Sequence, residues 1–103
     1  MVLILLDLRK KQLESKQRYF IKLAYKGTHY HGWQIQPNAI TVQHVMNQAL
    51  STVLRENINV VGAGRTDTGV HASCFWAHFD LEHPISEPEK IRFRLNRYLP
   101  DDI

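Results

Sequence analysis

The chain has one cysteine, Cys74, so no intrachain disulfide can form. That points to a reducing compartment and away from a disulfide-stapled secreted mini-protein. Cys74 itself lies in an apolar run and reads as a small buried hydrophobe. Long hydrophobic runs are missing too. The longest, Val2 to Leu6, falls far short of the roughly 20 residues a membrane span needs. Its charges follow the run and no small-residue cleavage site is visible, so neither a signal peptide nor a membrane partner is expected, and the cytoplasm is the default. Metal-ligand pairs are also wanting. His29 and His31 are two apart, and His78 and His83 are five apart. With a single cysteine beside them they do not make the tight pairs of a tetrahedral site, so no metal is expected. There is no repeat and no low-complexity tract. What is present is ordinary: 103 residues, 44% hydrophobic and 22% charged, enough for one small globular domain or part of something larger. The net charge of +3 is compatible with a nucleic-acid partner without requiring one.

Residues 7–18 are mostly polar and charged, so residues 1–17 read as an N-terminal extension or linker and 18–103 as the domain. Tyr19 to Tyr25 alternates as a strand, with Tyr19, Ile21, Leu23 and Tyr25 on one face. A loop rich in aromatic and hydrogen-bonding groups follows over 28–40. Thr41 to Arg55 is the clearest helix: Val42, Val45, Met46, Ala49, Leu50, Val53 and Leu54 form its stripe, and Thr41 can cap it. Gln43, Asn47, Gln48, Ser51, Thr52 and Arg55 fall on its wet face. Ile58 to Val61 is a short strand. Val70 to Leu81 is a longer one, with Phe75, Ala77, Phe79 and Leu81 sharing a face. Ser86 to Glu89 spells an S-x-x-E capping box before a helix whose stripe is Ile91, Leu95, Tyr98 and Leu99, and Pro100 ends it. The order βαββα predicts an α+β, ferredoxin-like unit whose last strand is missing. That omission leaves a sheet edge open, where the stray VLILL of the N-terminus could pair.

The stretch GAGRTDTGVHA, residues 62–72, is the candidate for chemistry. Asp67 can serve as base, acid or nucleophile. Arg65 lies two residues earlier; if the segment is extended, it points to the same side, where it would favour the ionised carboxylate or bind phosphate. Gly64 and Gly69 permit backbone angles or close approach that a β-carbon forbids. His71 adds a group of the type that titrates near neutral pH. The same residues also make ordinary turns. No G-K-[ST] follows, so nucleoside triphosphate binding is disfavoured.

GRTDTGVHA closely resembles the signature of the TruA family of tRNA pseudouridine synthases. Other blocks agree in order and spacing. Tyr25-Lys26-Gly27 resembles the family's Y-D-G, with lysine where aspartate is common. Tyr30-His31-Gly32-Trp33-Gln34 resembles Y-H-G-W-Q, and Thr41-Val42-Gln43 resembles S-V-Q. Leu95-Asn96, Leu99-Pro100 and Asp102-Ile103 resemble L-N-x-x-L-P-x-D-I. The resemblance runs from about Tyr19 to the end of the chain. Family members are more than twice this length, so it implies the N-terminal half of a catalytic domain, truncated relative to the family.

The resemblance further implies isomerisation of uridine to pseudouridine in the anticodon stem-loop of tRNA, with no cofactor. Asp67 would be the catalytic nucleophile, or a base at the sugar. Arg65, Thr66, His31 and Gln34 would bind substrate. Lys22, Lys26, Arg92, Arg94 and Arg97 are candidates for contacts to the RNA backbone, although Arg94 and Arg97 flank an apolar stripe and can snorkel along it. Full-length relatives are homodimers. Trp33 and Trp76 could stack on a base, but a core or interface place suits both better. A reading from another class is a non-catalytic RNA-binding module, which would tolerate Asp67→Asn where the enzyme would not. A metal-dependent hydrolase has the least support.

Overall fold

The computed structural model of the protein describes residues 2–6 and 16–103. Residues 7–15, most of the polar stretch expected as a linker, lie outside the described residues. The elements run β1 (Val2–Leu6), β2 (Gln17–Tyr25), a short 3-10 turn (Gly27–His29), α1 (Val42–Leu54), β3 (Val61–Gly62), β4 (Ala72–Leu81) and α2 (Pro88–Tyr98). The four strands form one antiparallel sheet in the order β1-β2-β4-β3. The chain is thus α+β, with two helices closing one face of the sheet.

Strand alternation decides which face that is. Tyr19 pairs Phe79, Ile21 pairs Ala77 and Leu23 pairs Phe75, and all six side chains are buried. A slip of one residue would turn the whole set to solvent, so the register is strongly specified. Tyr19 and Phe79 stack with ring centroids 5.8 Å apart. The opposite parity places Cys74, Trp76 and Lys22 on the open face. Cys74 is exposed, not buried as its apolar neighbours suggested. Trp76 also stays out of the core, with the Lys22 ammonium 6.0 Å from its ring centroid. Trp33 is buried as expected, 4.5 Å from Phe75 between ring centroids.

Val2–Leu6 pairs along the free edge of β2, from Val2 opposite Leu23 to Leu6 opposite Tyr19. Helix α2 clips this strand by its main chain. The Val2 N–H donates to Asn96 Oδ1 (3.0 Å), and Arg92 Nε donates to the Val2 carbonyl (2.9 Å).

Helix α1 begins where Thr41 accepts from the His44 N–H (3.3 Å). Of its apolar stripe, Val42, Met46, Ala49, Leu50 and Val53 are buried, and Val45 and Leu54 are half-buried against the core. Its expected wet face is not wet throughout. Gln43 is only 6% exposed: its amide donates to the Val60 carbonyl (2.7 Å) and accepts from the Ile35 N–H (2.9 Å). Asn47 accepts from the Val60 N–H (2.8 Å) and Ser51 from the Ile58 N–H (2.9 Å). Residues 43, 47 and 51 recur every four positions and so line one side of the helix. They serve residues 58–60 as a surrogate strand, because buried backbone groups must find partners. That is why β3 is confined to Val61–Gly62 instead of starting at Ile58. Gln43→Leu would strand the Val60 carbonyl and the Ile35 N–H. A loss of about 2 kcal/mol or more is expected, read as a lower urea midpoint.

Helix α2 departs from expectation at both ends. Ser86 does not cap it. Glu87 is the N-cap and Pro88 takes the first helical position. The proline explains the shift: it suits that position and forces the preceding residue out of helical geometry. Leu95 and Leu99 are buried, but Tyr98 is exposed, since the chain turns extended at Leu99.

The end of β4 is tied back to the end of α1. The Glu82 N–H donates to Glu56 Oε2 (3.0 Å), and His83 Nδ1 lies 3.3 Å from Glu56 Oε1. The Glu82 N–H above all holds the Glu56 carboxyl below its usual value, with burial opposing and His83 assisting. A depressed carboxylate stabilises the fold above its unfolded pKa, and that contribution is lost as pH falls through the folded value. Glu56→Gln is expected to lower Tm at neutral pH and to make no difference at about pH 2, where both forms are uncharged.

Candidate active site

The loop between β3 and β4 carries Arg65, Thr66 and Asp67, and its conformation is over-determined. The Tyr25 and Thr66 hydroxyls share a hydrogen bond (2.8 Å). The Thr66 carbonyl accepts from the Trp33 N–H (3.3 Å), and the Gly69 N–H donates to the Tyr30 carbonyl (3.1 Å). The Val70 N–H returns to the Asp67 carbonyl (3.2 Å), closing a turn whose third residue, Gly69, has φ +78°. That positive φ is what glycine supplies in such turns. His71 Nδ1 then accepts the Gly27 N–H (2.8 Å).

The close approach of main chain to main chain falls on Gly27 and Gly32, and Gly62 lies against the Trp33 ring, while Gly64 has no such neighbour. A β-carbon at Gly27 would lie 1.9 Å from the Val70 carbonyl oxygen. At Gly32, where φ is +77°, it would lie 2.2 Å from the Thr66 carbonyl oxygen. Gly64 has no positive φ and nothing within 4 Å of such a carbon.

A further layer holds the support in turn. Tyr30 is buried, and its hydroxyl donates to Asp102 Oδ1 (2.6 Å). Burial pushes this phenol well above its usual pKa, with the Asp102 hydrogen bond and charge adding to the effect. It stays a donor at any ordinary pH. The Lys26 N–H donates to the Asp102 carbonyl (2.8 Å). The Val42 and Gln43 N–H groups, free at the start of α1, donate to the Gly32 (3.1 Å) and Trp33 (3.0 Å) carbonyls. The strand end, the 30–34 loop, the start of α1, the Asp67 loop and the C-terminal turn therefore form one hub.

A family model described as tRNA pseudouridine synthase matches residues 22–103. The chain belongs to the tRNA pseudouridine synthase family. It is 60% identical to tRNA pseudouridine synthase A of Bacteroides fragilis over 89 residues, covering 86% of this chain and 35% of that relative. Against the protein of the same name in Bacteroides thetaiotaomicron it is 59% identical over 87 residues, 84% of this chain and 32% of the relative. With that of Thermoanaerobacter sp. (strain X514) the identity is 51% over 83 residues, 81% and 34%. The chain spans about a third of the length of these relatives.

Within this family member the expected site residues separate into groups. Arg65 and Asp67 are exposed, and Thr66 is half-buried between them. Among the described residues, neither the Asp67 carboxylate nor the Arg65 guanidinium has a hydrogen-bond or ion-pair partner. The pairing that their spacing suggested is not formed. His31 exposes its ring while its backbone is held by Ile40 and Gln36. Gln34 is half-buried in the same loop. The basic residues do not make a single patch. Lys22 lies on the open sheet face, and Lys26 is exposed at the end of β2. Arg92, Arg94 and Arg97 belong to α2 in the helical layer. There Arg92 also pairs with Glu89 (3.1 Å), and Arg97 lies 5.7 Å over the Phe93 ring. Tyr25, Tyr30 and Asp102, which hold the loop together with His71, were not among the expected site residues. Their signal was membership of the recurring sequence blocks.

Proposed function

We propose that this chain is the N-terminal part of an enzyme that isomerises uridine to pseudouridine in the anticodon stem-loop of tRNA, with Asp67 as the nucleophile. The observation that carries the reading is the Asp67 carboxylate: exposed and unpartnered among the described residues, on a loop fixed on both sides of it. An ordinary surface turn has no need of such bracing. In the reaction the N1–C1′ bond breaks, the uracil turns, C5 bonds to C1′, and the C5 proton is released while N1 regains one. The conversion has no net oxidation or hydrolysis, so it calls for no redox cofactor and no energy source.

The target base must leave the RNA stack, at a cost of a few kcal/mol that pocket contacts offset. Arg65, Thr66, His31 and Gln34 are assigned to those contacts, since they come from the Asp67 loop and the loop packed against it. Lys22 and Lys26 are assigned to the RNA backbone. The α2 arginines would reach only a part of the tRNA that wraps the helical layer. The strand order supports a ferredoxin-like reading of residues 18–103, with β1, from the extension 1–17, running where a last strand would lie. A homodimeric, cytoplasmic whole protein completes the proposal. Trp76 beside Lys22 on the open sheet face favours RNA contact there, and would also suit a non-catalytic RNA-binding module.

The test replaces the matched residues of the Bacteroides fragilis relative with residues 22–103 of this chain. Tritium release from tRNA labelled at uridine C5 is then measured. Release is expected. Silence from the chimera, with the parent active, would sink the enzyme reading.

A further inference from the structure

We propose that His71 is a positioning residue for Asp67, whose neutral ring locks the Asp67 loop onto the turn after β2 and whose protonation unlocks it. The proposal rests on the reading that Asp67 does the chemistry.

The hydrogen bond itself dictates the protonation state. A backbone N–H can only donate, so the Gly27 N–H, 2.8 Å from His71 Nδ1, requires that nitrogen to be bare. The ring proton must then sit on Nε2. A second proton, on Nδ1, would set two donors against each other and break the contact. Histidine is the side chain whose ordinary charge change falls between pH 5 and 8.

The other ties on this loop involve neither an imidazole nor a carboxylate. They are backbone hydrogen bonds at Thr66 and Gly69 and the neutral Tyr25–Thr66 hydroxyl pair. His71 is also the last tie on the loop before β4 begins at Ala72. Losing it leaves Gly69 as the only described anchor of the loop between Asp67 and the strand. The Gly27 end is equally committed, since the Val70 carbonyl occupies the space a β-carbon would need.

The charged surroundings are mixed. His71 lines a recess of about 460 Å³ together with Tyr25, Lys26, Asp101 and Asp102. The recess is open to solvent, so a proton can reach the ring.

Two substitutions separate positioning from bulk structure. In His71→Asn the amide oxygen can stand where Nδ1 stands, accepting without titrating. His71→Leu keeps the volume and removes the acceptor. In the full 103-residue chain, the Gly27 amide should lose exchange protection as His71 protonates, followed by NMR from pH 8 to 5. In His71→Asn the protection should stay level across that range. In the chimera described above, His71→Asn should keep kcat within about threefold at pH 8 and lose the acid-side fall. His71→Leu should lower kcat about tenfold with KM for tRNA unchanged, the size expected for one hydrogen bond. A Gly27 amide indifferent to the state of His71 would overturn the proposal. So would an acid limb that survives in His71→Asn, or full activity in His71→Leu. If no chimera isomerises uridine, the functional reading fails, and the Gly27 amide still decides the latch.

Discussion

Asp67→Ala is expected to abolish tritium release from C5-labelled tRNA, by about a thousandfold or more, while Tm moves by no more than about 3 °C. The two halves of this expectation have separate causes. The Asp67 side chain is exposed and touches no described partner, so its removal takes nothing from the fold. Surface changes of that kind usually stay within about 0.5 kcal/mol. The backbone features of the turn survive, because the Val70 N–H uses the Asp67 carbonyl and not its side chain. The proposed chemistry, by contrast, loses the one carboxylate that residues 63–71 carry. Asp67→Asn makes the same test at constant shape: an amide neither attacks C1′ nor takes a proton. Undiminished release from Asp67→Asn, measured in the chimera, would leave a binding module as the better reading.

Gly32→Ala is expected to be among the most destabilising single substitutions in the chain, at about 3 kcal/mol or more in urea denaturation. Two costs add. The backbone there has φ +77°, which an L side chain rarely adopts. The new carbon would also lie 2.2 Å from the Thr66 carbonyl oxygen and 3.2 and 3.3 Å from the Thr66 and Asp67 carbonyl carbons. All three atoms are main chain, so no side-chain rotation relieves the contact. Relief would come only from moving the Asp67 loop, which would also part the Trp33 N–H from the Thr66 carbonyl. Gly64→Ala supplies the control. It lies in the signature loop itself, yet nothing surrounds its missing β-carbon, and a change within about 0.5 kcal/mol is expected. Equal effects at the two glycines would refute the close-packed account of the hub.

The contrast between these glycines marks what was legible beforehand. Gly64 and Gly69 stood out because they flank Asp67 in sequence. Gly69 does carry a positive φ, but the close backbone contacts fall on Gly27 and Gly32, more than thirty residues upstream of the loop they meet, and Gly62 is pressed by the Trp33 ring. Close approach is a property of two segments, and no local pattern reports it. The same holds for Gln43, Asn47 and Ser51. Helical periodicity placed them on one line, but which neighbour that line meets depends on the path of residues 58–60.

Period-two alternation in β2 and β4 and the apolar stripe of α1 were determined by the sequence alone, because burial of one face is a repeating, local demand. Membership of the family was likewise legible, through blocks whose order and spacing recur in it. The tertiary structure alone decided why those blocks occur together. Tyr25, Gly27, Tyr30, Gly32, Gln43, His71 and Asp102 are scattered along the chain and joined by single hydrogen bonds and backbone contacts. Such contacts leave no periodic trace, since each needs just one donor, one acceptor or one absent β-carbon at the point where two segments cross.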